Sequence, residues 1–176
     1  RVTCEVAPHH FALTDKELAR FDASYKMNPP LRTPADVEAL LEGLADGTVD
    51  AIATDHAPHT LEDKDVELPI ATFGIIGLET ALPLTLELLV NRKVISLARA
   101  VELLTSGPAR CFHLDRQGLG SLAVGAPADF TLVDLEAKVA VDRAFIQSRS
   151  FNTPFKGWEL PGRVLGTWVA GRKVWG

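Results

Sequence analysis

A chain of 176 residues with 47% apolar content, 13 glycines and 11 prolines has the composition of a folded protein with room for a sizeable core. Its formal net charge of −5 and its lack of a Lys/Arg run exclude an electrostatic binder of nucleic acid. Two cysteines make no disulfide framework and suit a reducing cytoplasm, and the longest apolar stretches are broken by Glu79, Pro83 or Glu87 before they could cross a bilayer.

Residues 2–6, Val-Thr-Cys-Glu-Val, read as a strand. The chain starts inside it at Arg1, without methionine, which predicts a piece of something longer. Thr14 stands three residues before Glu17, the spacing of a capping box on a short helix. Pro29 and Pro30 then break regular structure. Thr33 and Pro34 open a helix whose Val37, Leu40, Leu41 and Leu44 recur at helical spacing, and Gly47 stops it. Residues 50–54 form a second strand, and 60–71 a polar loop that carries Glu62, Asp63, Lys64, Asp65 and Glu67. Helices are predicted at 78–90, at 96–104 under a Ser96 cap, and from Pro108. Beyond His113, glycines and Pro127 punctuate β-like runs at 130–135, 138–141, 164–169 and 173–175. Residues 1–114 therefore predict a parallel α/β unit, and residues 115–176 part of a small β-sandwich.

The chemistry concentrates where the second strand ends. The apolar run up to Thr54 stops at Asp55, His56 and, after Pro58, His59. Barrel strands present reactive groups in this way, packed along their length and functional at the C-terminal tip. Asp55 alone is a common turn aspartate; with two histidines beside it, metal ligation and proton transfer are favoured. His59 alone reads as a loop histidine. Asn28 offers both donor and acceptor, which suits the edge of a cyclic imide or amide. Arg32 could meet a carboxylate or an ion-pair partner in the scaffold. Cys4 and Cys111 read as buried small residues.

The run Ala53-Thr54-Asp55-His56-Ala57-Pro58-His59, with Lys64 five residues on, resembles the signature of dihydroorotases, members of the amidohydrolase superfamily. Met27-Asn28-Pro29-Pro30-Leu31-Arg32, Phe73-Gly74, Asn152-Thr153-Pro154-Phe155-Lys156-Gly157 and the segment from Gly125 to Asp134 resemble further stretches of the same family. The resemblance implies the last two strands and helices of a TIM-like (β/α)8 barrel, followed by strands of an accessory β-sandwich. It implies reversible cyclisation of N-carbamoyl-L-aspartate to L-dihydroorotate in pyrimidine biosynthesis, with metal-bound hydroxide attacking in the reverse direction. Asp55 would ligate the metal and relay the proton. His59 would bind the substrate carboxylate, while Asn28 and the Phe73-Gly74 backbone hold the ring. Zinc is implied, as one or two ions, with the remaining ligands in a missing N-terminal part, so the chain alone is expected to be inactive. Glu5 is assigned a structural role, His56 a packing or hydrogen-bonding one, and His9 and His10 hydrogen bonds beneath the site. The Asn152 and Gly125 motifs are read as structural turns. Two alternatives stay open: a dihydropyrimidinase or hydantoinase, which usually carries serine where Asn28 stands, and a non-catalytic scaffold subunit of aspartate transcarbamoylase. The implied partners are a small-molecule substrate, a homodimer mate or the transcarbamoylase, with no nucleic acid and no membrane.

Overall fold

The computed structural model describes residues 2–176. Strands β1 (Glu5–Val6) and β2 (Ala51–Ile52) pair in parallel, Glu5 opposite Ala51 and Val6 opposite Ile52. The Asp50 N–H to Cys4 carbonyl bond and the Ala53 N–H to Val6 carbonyl bond extend the contact beyond both ends. A parallel pair needs a long crossover. Here it consists of α1 (Pro8–Ala12), two 3₁₀ turns and α2 (Pro34–Asp46).

Helix α2 follows the sequence expectation. Thr33 Oγ1 accepts from Asp36 N–H and the Asp36 carboxylate accepts from Thr33 N–H, a reciprocal cap that satisfies two orphan donors. Pro34 occupies the first turn, and Gly47 ends the helix in the left-handed region at φ 88°. The capping box expected at Thr14 does not form. Glu17 instead pairs with Arg20 at 2.8 Å, and the segment Asp15–Arg20 is a 3₁₀ turn.

After β2 come α3 (Leu61–Lys64), α4 (Leu78–Thr85), α5 (Leu97–Leu104) and α6 (Ser106–Cys111). The sequence signals for 78–90 cover α4 and a following π-helical stretch, Leu86–Asn91. Ser96 caps α5 as expected, accepting from Arg99 N–H. The last part forms one antiparallel sheet in the order β3 (Phe130–Ala140), β4 (Glu159–Val169), β5 (Arg172–Trp175). The runs expected at 130–135 and 138–141 are a single strand. Asp134 Oδ1 accepts from the N–H groups of Glu136 and Ala137 and folds the extra residues into a bulge.

One core serves both parts of the chain. Val6, Leu44, Ile52, Ile76, Leu84 and Leu103 belong to the same buried cluster as Val139, Val141, Phe155 and Leu160. Fully burying such a side chain contributes about 1.5–3 kcal/mol relative to leaving it exposed. Cys4 departs from the expectation of burial. It is exposed and its thiol donates to the Thr48 carbonyl, because among the described residues β1 has a strand neighbour on one side only. Cys111 is half-buried. Among the described residues, no helix is long and apolar enough to cross a membrane.

Candidate active site at the end of the second strand

Strand β2 is buried, and three residues past its end the chain turns sharply. Asp55 sits at φ 48°, in the left-handed region that aspartate tolerates better than most residues. Its side chain is 46% exposed and lines an open cavity of about 390 Å³ together with Glu5, His10, Pro29 and Arg32. The buried run thus ends in a solvent-reaching carboxylate, as the sequence predicts.

His9 lies behind that carboxylate, its Nε2 3.8 Å from Asp55 Oδ2 and without a hydrogen-bond partner. Burial, and secondarily the neighbouring His10, pull the His9 pKa from 6.5 down to about 3. The ring is therefore neutral at pH 7 and the approach to Asp55 is not an ion pair. His10 carries the hydrogen bond expected of this pair. Its Nε2 lies 2.9 Å from the Pro29 carbonyl, which can only accept, so Nε2 holds the proton and His10 braces the Asn28 loop.

His56 acts as a helix cap. Its Nδ1 accepts from the N–H groups of Gly77 and Leu78, at 3.1 and 3.4 Å, satisfying orphan donors at the start of α4. Those bonds require an unprotonated Nδ1. This agrees with the packing or hydrogen-bonding role expected from the sequence.

His59 stands against Gly74. A β-carbon built on Gly74 would lie 3.4 Å from His59 Nε2 and only 2.5 Å from the Ala57 β-carbon, and φ at Gly74 is 111°. Only glycine permits this approach. The Gly74 N–H donates to the Lys26 carbonyl, and the Gly74 carbonyl accepts from Lys64 and Asn152. Phe73, 55% exposed, lies under the Lys26 ammonium at 4.4 Å. Its own N–H and carbonyl make no hydrogen bond among the described residues, which leaves them open to a ligand.

Asn28 is exposed and forms no hydrogen bond to the other candidate residues. The structure therefore joins His59 to Phe73-Gly74 and places Asp55 and the Asn28 loop on the 390 Å³ cavity. Arg32 pairs with Asp36 at 3.4 Å, the scaffold alternative left open by the sequence.

Two residues gain a role that the sequence did not suggest. Lys64 is buried, and its ammonium donates to the carbonyls of Thr72, Gly74 and Lys26. Burial, with the charge of Lys26 adding to it, lowers its pKa from 10.5 to about 8. Asn152, 93 residues beyond His59, bonds directly beneath the site. A lysine in a loop and an asparagine in a proline turn carry no sequence signal for burial; only their positions within the family-like motifs mark them.

The donor set of this chain does not complete a metal centre. Among the described residues no group of three His, Cys, Asp or Glu side chains converges. Asp55 offers one accessible carboxylate, suited to contribute a single ligand.

A family model, the amidohydrolase family, matches residues 2–174. The chain belongs to this family, and its mixed α/β architecture is part of the amidohydrolase fold. Among curated relatives it is 52% identical over 175 residues to a dihydroorotase of Geobacillus sp. (strain WCH70), covering 99% of this chain and 40% of that protein. A dihydroorotase of Syntrophotalea carbinolica is 55% identical over 172 residues, covering 98% of this chain and 40% of that protein. The chain therefore spans about 40% of the length of these relatives. The solved structure of an L-hydantoinase (dihydropyrimidinase) from Arthrobacter aurescens is similar with a TM-score of 0.87 at 33% identity, covering 98% of this chain and 39% of that one. A D-hydantoinase (dihydropyrimidinase) from Thermus sp. gives a TM-score of 0.84 at 28% identity, covering 97% of this chain and 38% of that one.

Proposed function

We propose that the full-length protein carrying this chain is a dihydroorotase, interconverting L-dihydroorotate and N-carbamoyl-L-aspartate in the cytoplasm. The observation that carries the reading is the accessible Asp55 carboxylate at the end of a buried parallel strand, on the same loop as His59. Relatives named dihydroorotase, at about half identity along nearly the whole chain, support the substrate.

In the hydrolytic direction water adds to the ring amide carbonyl and the ring C–N bond breaks. Asp55 accepts the proton of the attacking water and returns it to the departing nitrogen, so one carboxylate serves as base and then acid. A bound zinc, held by Asp55 and by ligands these residues do not supply, would polarise the carbonyl and ease ionisation of water at neutral pH. His59 meets the substrate carboxylate. The Phe73 backbone groups and the Asn28 amide align the ring edge, converting binding into orientation.

A second reading, a hydantoinase or dihydropyrimidinase, is favoured by the names of the similar solved structures. Two features favour the first reading: Asn28 stands where the resemblance puts serine in hydantoinases, and His59 would meet the ring carboxylate that dihydroorotate carries and dihydrouracil and hydantoin lack. The test is a rate profile of the full-length protein on dihydroorotate, dihydrouracil and hydantoin. Dihydroorotate is expected to be turned over fastest; preference for either of the others would replace the first reading with the second.

A further inference from the structure

The segment 147–153, between β3 and β4, lies across the loops of the candidate site. The Glu79 carboxylate, in the first turn of α4, accepts from Gln147 N–H, Ser148 N–H and the Ser148 hydroxyl, at 3.1, 2.7 and 2.6 Å. Arg143 donates to the carbonyls of Ser148 and Arg149 and holds the turn from the other side. Ser150 Oγ then donates to the His59 carbonyl at 2.6 Å.

Asn152 completes the connection. It is 6% exposed, and both amide protons are used: Nδ2 donates to the Ala57 carbonyl at 2.9 Å and to the Gly74 carbonyl at 3.3 Å. Its Oδ1 accepts from His59 N–H at 3.3 Å, and its main-chain carbonyl accepts from Ile76 N–H at 3.1 Å. Two carbonyls on one side and an N–H on the other fix the orientation of the amide, since a flipped group would face oxygen to oxygen.

We propose that Asn152 is a positioning residue: its side chain ties the loop bearing His59 to the Phe73-Gly74 turn, so that both walls of the substrate pocket keep one spacing. The inference rests on the reading that those residues contact the substrate. Asn152 does not touch the reacting atoms. The two loops also meet directly, through the Ala57 N–H to Ile75 carbonyl bond at 2.8 Å. Asn152 adds the link on the side of His59, taking up the Ala57 carbonyl and the His59 N–H, which have no other partner among the described residues. Aspartate would keep the acceptor but lose both donors and set a charge against two carbonyls. Alanine would lose all three side-chain bonds.

The experiment is Asn152→Ala in the full-length protein, read in two ways. KM for whichever cyclic amide the wild type hydrolyses should rise about tenfold or more while kcat changes less than about threefold, the pattern of lost substrate alignment in binding. Amide hydrogen exchange should quicken at residues 57–59 and 73–76 and not across the core, the mark of local rather than global opening. A purely structural role would lower the active fraction, leaving KM in place, and would raise exchange throughout. An unchanged KM, or exchange that is unchanged or raised everywhere, would overturn the proposal. If Asn152→Ala does not fold, Asn152→Ser, which keeps one donor, is read by the same criteria. Should the wild type hydrolyse none of the three cyclic amides, the functional reading falls, and the exchange pattern alone decides for or against the role of Asn152.

Discussion

Gly74 is the residue where backbone conformation bears most directly on the proposed substrate contacts. Its φ of 111° and the 2.5 Å approach a β-carbon would make to Ala57 leave no room for a side chain. Gly74→Ala must push the turn away from His59, and a displacement of about 1 Å at a substrate-holding wall can cost about 100-fold in rate. We expect kcat/KM of the full-length protein to fall by about that factor with the far-ultraviolet circular dichroism retained. A variant with wild-type kcat/KM would show that the close approach has no part in binding. Asp55 differs from Gly74 in how far its sequence context goes. Its identity and its place at a strand end are legible there, because an apolar run that stops at an acid marks the point where the chain leaves the core. The neutral state of His9 behind it is not legible, since it depends on burial that only the assembled fold creates.

Among the elements, the loop at 60–71 departs most from what its sequence suggests. Its run of charged residues reads as a solvated loop, yet Thr60 and Asp63 form a reciprocal cap on α3 and Lys64 turns inward. Three carbonyls, from Thr72, Gly74 and Lys26, then anchor the loop through one ammonium. The anchor is polar, which is why hydrophobic patterning overlooks it. Lys64→Met would leave those carbonyls unpaired, and each buried orphan costs about 1–3 kcal/mol. Chemical denaturation of the full-length protein should therefore show a loss of about 2–4 kcal/mol, discounted because two of the acceptors are only partly buried. A loss below about 0.5 kcal/mol would indicate that water reaches the carbonyls as well as the ammonium does. Helix α2 lies at the other extreme. Its cap, first-turn proline, apolar spacing and terminal glycine are all local signals, and the structure reproduces each of them.

For the whole molecule, two parallel strands cannot close a barrel, and no three metal-ligating side chains converge among the described residues. On the proposed reading the chain supplies one wall of an active site: a strand tip with its carboxylate, a loop with its histidine, and a strap from the β3–β4 connection bonded to the loops. The strap could not have been read in advance. It joins residues about 90 positions apart, and the turn that carries Asn152 looks, as sequence, like a simple entry to a strand. The central claim is that Asp55 moves the proton of the hydrolysis. It is tested most directly by the turnover of dihydroorotate by full-length Asp55→Asn, with bound zinc measured on the same sample. A loss of about a thousandfold is predicted, the scale of a missing general base; turnover within about threefold of wild type, with normal zinc content, would contradict that role for Asp55.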